Sequence, residues 1–152
     1  MTTSLVTVTT TDPLLSVVVR QVEAGATGAP GVGIGERNML ASEALTAGDL
    51  VNFWSDAGTP KVRLACALAK GKEANGFVSV ACAQGAVATV SLGGVNTAAT
   101  GLTTGPLWLS VTPGKTQSAP ASGAGRVVQR VGFAPSSTEI MFSPQLPITL
   151  ST

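Results

Sequence analysis

Histidine and tyrosine are both absent from this chain of 152 residues. Without an imidazole, Ser-His-Asp triads and His-containing metal sites are excluded. Aromatic residues amount to only 4%, so platforms on which nucleic-acid bases could stack are scarce. Charged residues supply 11%, less than half of the roughly 25% usual in soluble domains. Nine basic and eight acidic side chains leave a net charge of +1. They are scattered along the chain, so no segment draws in phosphate or anionic lipid. Binding to nucleic acid or to a membrane is therefore not expected.

Cysteine is also sparse. Cys66 and Cys82 sit among small apolar residues, in Leu64-Ala-Cys-Ala-Leu68 and Val80-Ala-Cys-Ala83. Two thiols without histidine do not make an ordinary four-ligand zinc site, so neither a metal nor a cofactor is expected. Small buried thiols are the favoured state, and a disulfide would require the two Cβ atoms to be juxtaposed. No Gly-x-Ser-x-Gly elbow and no Walker-type phosphate loop is present. Gly31-Val-Gly-Ile-Gly35 has the spacing of a linker rather than of a dinucleotide fingerprint. Asp49 and Asp56 could be imagined as a carboxylate pair, but both stand in turn sequences where Asp bonds local backbone. No catalytic residue is assigned, and the chain is not expected to be an enzyme.

What the chain does contain is a stretch of 41 residues, 74–114, with no Asp, Glu, Lys, Arg or His. Gln84, Asn96, the Gly93-Gly94 pair and Pro106 break it, so it is no membrane span. It reads instead as β structure whose solvent side is Thr, Ser, Ala and Gly. A surface with so little charge does little to repel a neighbour, and much of it is expected to pack against other protein chains. The alternative is a neutral monomer. The segment from Met1 to Thr10 lacks the basic and apolar regions of a signal peptide. The chain is thus expected to stay in a cytoplasm until it joins an assembly.

Alternation of apolar and polar residues predicts strands at Ser4–Thr10 and Leu14–Val22, followed by a glycine-rich connection from Gly25 to Gly35. A short helical turn at most is expected over Leu40–Leu45. Further strands are predicted at Asp49–Trp54, Pro60–Ala69, Gly76–Ala83, Ala86–Leu92, Pro106–Val111, Arg126–Ala134, Ser137–Phe142 and Leu146–Leu150. Turn sequences separate them, among them Ser55-Asp-Ala-Gly58 and Gly93-Gly94. The expected fold is all-β: a single β-sandwich or jelly-roll, or a β-tulip-like barrel. An extended N-terminal arm occupies residues 1–37 and the β domain residues 38–152.

Strand parity assigns faces. Lys61 and Arg63 oppose Val62, Leu64 and Cys66, and Arg126 and Arg130 oppose Val127, Val131 and Phe133. Gln129 falls on the apolar side, so it should find a hydrogen-bond partner there or lie at an edge. Trp54 opposes Val51 and Phe53, and Trp108 opposes Leu107 and Leu109, which turns both indoles outward as interface anchors. The alternative is that both fill the core. Together with Val6, Val8, Val17 and Val19 of the arm, Trp54 and Trp108 are the candidate interface residues.

Leu45-Thr-Ala-Gly-Asp-Leu-Val-Asn52, Lys61-Val-Arg-Leu-Ala-Cys-Ala67 and Ala74-Asn-Gly-Phe-Val78 follow one another in an order that resembles small structural proteins of tailed bacteriophages. The likeness continues through Gly101-Leu-Thr-Thr-Gly-Pro-Leu-Trp-Leu-Ser-Val-Thr-Pro-Gly114, Gly125-Arg-Val-Val-Gln-Arg-Val-Gly-Phe-Ala134 and Ser137-Thr-Glu-Ile-Met-Phe142. It spans about Leu45 to Leu150 and is similar to the β-rich module of capsid decoration (cement) proteins and of some head-fibre or tail-fibre tips. The resemblance implies a virion protein on the outer capsid surface, partnered by the major capsid protein and by itself as a homodimer or homotrimer. The alternative is a fibre-tip module for attachment to the host surface. Only some forty residues precede the module, too few for a fibre shaft, which favours decoration. The arm is expected to add a strand to a neighbouring subunit or to lie across the shell.

Overall fold

The computed structural model describes residues 35–151. The proposed strands at Ser4–Thr10 and Leu14–Val22, and most of the glycine-rich connection, lie outside the described residues. Twelve strands follow in order: β1 (Glu36–Ala41), β2 (Leu50–Asp56), β3 (Thr59–Leu64), β4 (Gly76–Val78), β5 (Val87–Ser91), β6 (Gly94–Asn96), β7 (Gly105–Leu109), β8 (Thr116–Gln117), β9 (Val127–Val128), β10 (Arg130–Ala134), β11 (Ile140–Phe142) and β12 (Ile148–Thr149). The protein is all-β, with no helix among the described residues.

The first five strands close into a barrel in the order β1-β3-β2-β4-β5, with β5 pairing back onto β1. All its pairs are antiparallel except β1 with β3. Alternation along β2 shows why two layers form. Val51 enters the barrel with Ala41, Leu45, Val62, Val78, Ala88 and Val90. Leu50, next to it, points the opposite way, as does its cross-strand partner Phe77. Both are covered by a second sheet of order β6-β11-β10-β7-β8, which contributes Leu107, Leu109, Val131, Ile140 and Phe142. Phe77 meets Phe142 edge-on, with ring centroids 5.5 Å apart and planes at 69°. Such a pair adds about 0.5–1.5 kcal/mol beyond the burial of the rings. The remaining strands, β9 and β12, form a two-stranded sheet.

Between the layers the chain crosses without a regular ladder. After β3, residues 65–67 are buried, and Ala67 donates to Ser110 while accepting from Val127. The strand predicted over Pro60–Ala69 therefore ends at Leu64. Cys66 is buried there, its thiol donating to the Val111 carbonyl; Cys82 is half-buried against the barrel core, and both thiols are free.

Five expectations are corrected. Leu40 and Ala41 complete β1, and Leu45 makes an isolated bridge with Cys82, so no helical turn forms. β1 also begins at Glu36, inside the segment assigned to the arm. The strand expected over Arg126–Ala134 breaks at Gln129 into β9 and β10. Gly94 lies in β6 instead of the turn, pairing opposite Phe142. Finally, Phe133 faces outward and is 39% exposed. The register slips between Arg130 and Gly132, which inserts Val131 as an extra residue and inverts the parity beyond it. Gly132 permits this: a Cβ there would overlap the Met141 carbonyl oxygen.

Candidate functional site

Asp49 and Asp56, the two carboxylates singled out from the sequence, are both engaged in the structure. Asp49 is 4% exposed, and its Oδ2 accepts from both the backbone and the hydroxyl of Thr46. Its Oδ1 pairs with Lys115 at 2.6 Å. This is the turn role expected of Asp49, with an ion pair added from 66 residues away. Asp56 pairs with Lys61 at 2.6 Å across the β2–β3 hairpin. Among the described residues no three His, Cys, Asp or Glu side chains gather as a metal would require.

Six of the fourteen charged side chains among the described residues cluster in one place. Asp56, Lys61, Arg63, Lys70, Lys72 and Glu73 all lie on the β2–β3 hairpin and the connection from β3 to β4. By contrast β4, β5, β6 and β7, with the loops joining them, expose only uncharged residues. In the β4–β5 connection Val80 is 76% exposed, and Val87 at the start of β5 is 62% exposed; they flank a cleft of about 400 Å³ lined also by Glu36, Ser79, Ala81, Cys82, Thr89 and Ser91. A second cavity of about 310 Å³, beside Gly48, Ala98, Leu102 and Lys115, is lined largely by loop residues.

The outer face of the second sheet is apolar as well. Directly paired residues share a face. Val95 pairs with Met141, Met141 with Phe133, and Phe133 with Pro106, so four apolar side chains form one row across β6, β11, β10 and β7. All four are exposed. Trp108, two residues along β7 from Pro106, is half-buried on the same face, between Arg130 and Gln117. Leu107 and Leu109 face the core, as parity required.

Trp54 lies elsewhere, on β2 of the barrel. Its Nε1 donates to Ser42 at 3.1 Å, and the Arg63 guanidinium sits 4.8 Å from the ring centroid. Arg63 is itself held by Asn52 and the Gly71 carbonyl. Trp54 therefore serves contacts within its own chain, and no ring contact joins it to Trp108. Val6, Val8, Val17 and Val19 lie outside the described residues. Sequence reading missed the exposed Val80, Val87 and Val95 as well as Pro106, Phe133 and Met141. The bulge at Val131 hides the outward position of Phe133 from simple alternation, and Met141 occupies a strand of only three residues.

No protein-family model, no curated protein and no solved structure matches the chain. No helix among the described residues is long and apolar enough to cross a membrane.

Proposed function

We propose that this chain is a structural protein of a tailed-bacteriophage particle, which binds the outer surface of the assembled head and stabilises its lattice. The observation that carries this reading is the charge-free run of residues 74–114, which leaves Val80, Val87 and Val95 exposed, the first two beside a cleft of mixed lining. Contiguous apolar surface edged by polar residues marks a place where protein docks. The motif order from Leu45 to Leu150, similar to decoration proteins, supports the major capsid protein as the partner. The protein works by binding rather than by turnover, and without nucleic acid, membrane or cofactor.

The mechanism is linkage. A protein that binds only the assembled lattice stabilises it by RT ln(1 + [L]/Kd) per site, about 2.7 kcal/mol when the free concentration is a hundred times Kd. Over a whole shell, modest affinity per site is sufficient. The test is a quantitative gel of purified particles, with copy number expressed against the major capsid protein. Decoration requires the two to be of the same order, and a few copies per particle would contradict it. Val80→Asp with Val87→Asp should weaken binding to heads at least about tenfold, because burying two charges costs more than the valines contribute.

A further inference from the structure

The outer face of the second sheet carries a pattern that suits one particular occupant. Its middle is the row Val95, Met141, Phe133 and Pro106. Arg130 stands about 7 Å to one side of that row, level with Trp108, by the rise of about 3.4 Å per strand residue. Glu139, which immediately precedes β11 and stands two residues before Met141, lies about 7 Å to the other side by the same rise. Among the described residues neither Arg130 nor Glu139 has an ion-pair partner. A groove of about 250 Å³ lies between Arg130, Phe133, Met141 and Ser143.

We infer that this face binds a second copy of the same chain, in a two-fold dimer whose axis runs along the apolar row. Rotation about that axis lays row upon row and reverses the strand direction. The Glu139 end of each copy then lies over the Arg130 end of the other. Packed sheets stand about 10 Å apart, a gap that one Arg and one Glu side chain can close together. Glu139 of each copy thus enters the groove beside Arg130 of the other, twice per dimer by symmetry. An axis along the strands would instead set Arg130 against Arg130, so the charges select one orientation as well as one partner. A foreign partner has no reason to match an acid and a base placed equally far from an apolar row. The strands of the two sheets run nearly aligned, as in ordinary sheet-on-sheet packing.

Magnitude fixes the strength. The face measures about 20 Å by 20 Å, roughly 400 Å² in projection, below the about 800 Å² per partner of a standard stable interface. The dimer is therefore expected to be weak and concentration-dependent. It forms by the chain alone, so it stands or falls independently of binding to heads.

Sedimentation equilibrium of the full chain, from about 1 μM to about 1 mM, tests this. A monomer–dimer equilibrium is expected. Glu139→Arg or Arg130→Glu alone should raise Kd at least about tenfold, and the two together should restore it to within about threefold of the parent. Phe133→Ser should abolish dimerisation over the same range. Met141→Ser repeats that test at a side chain already 54% exposed, where folding is not at stake. A monomer at every concentration, a trimer, association indifferent to Phe133 and Met141, or failure of the double exchange to restore the dimer would each overturn the assignment.

Discussion

Gln129 is the residue at which local patterning and tertiary structure meet most closely. It stands between valines on the apolar side of its segment, and burial there obliges its amide to find partners. It finds three: Oε1 accepts from the Ala74 backbone at 2.8 Å, and Nε2 donates to the carbonyls of Ala74 and Gln145 at 3.0 and 3.2 Å. A side-chain amide replaces a stretch of strand ladder where β9 gives way to β10. Gln129→Leu leaves the Ala74 backbone groups buried without partners and should cost about 2–4 kcal/mol, seen as a lower urea midpoint at unchanged slope. The Asp49–Lys115 pair makes a contrasting case, because its members are unequally exposed, at 5% and 55% for the side chains. Asp49→Ala strips two Thr46 donors and the lysine of their acceptor, for an expected loss of about 2–3 kcal/mol by urea unfolding. Lys115→Met removes one half-exposed charge and should cost no more than about 1 kcal/mol. That Gln129 needed a partner was readable from parity alone. That Lys115 would reach Asp49 was not, since nothing local links two residues so far apart in the chain.

At the scale of elements, the β2–β3 hairpin turns on Ala57 and Gly58, with φ of 49° and 86°. Two successive left-handed residues fit a tight hairpin turn matching the strand twist, and the position Ala57 holds favours Asn or Asp. Ala57→Asn should therefore stabilise the protein by about 0.5–1 kcal/mol, raising Tm by about 2–4 °C in a scanning melt. Regular strands with clean alternation, such as β2, β5 and β7, were legible because one face must be apolar. The short strands were not. β6 is Gly94–Asn96 and β8 is Thr116–Gln117, and their residues carry turn chemistry that pairing with β11 and β7 overrides. β1 was missed because Glu36, Arg37 and Asn38 have little strand propensity; two neighbours hold it in place, β5 over five residue pairs and β3 over two. The outward Phe133 depends on a bulge, which is a property of pairing rather than of composition.

For the whole molecule, one short barrel and one sheet share their residues so that β2 and β4 serve two cores at once. Leu50 and Phe77 lie in the core between the layers, Val51 and Val78 in the barrel. The all-β class was visible in the density of Gly and Pro turns and the lack of helical period. The barrel closure was not, because it depends on β5 returning to β1. The same scale holds the functional claim. Fourteen ionisable Asp, Glu, Lys and Arg side chains occur among the described residues, and none falls between 74 and 114, so β4 to β7 and their loops present Thr, Ser, Gly, Ala and Val, with Glu36 and Arg37 of β1 beside β5 and Arg130 of β10 beside β7. Such a surface neither repels a neighbour nor satisfies water as Lys and Glu would, and we read it as surface made to be covered. Calorimetric melting of isolated heads tests this most directly, with the heads prepared without the protein and then saturated with it. The melting transition should rise with added protein and level off at a fixed ratio to the major capsid protein. An unchanged transition at saturating concentration, with the chain left free in solution, would contradict the account.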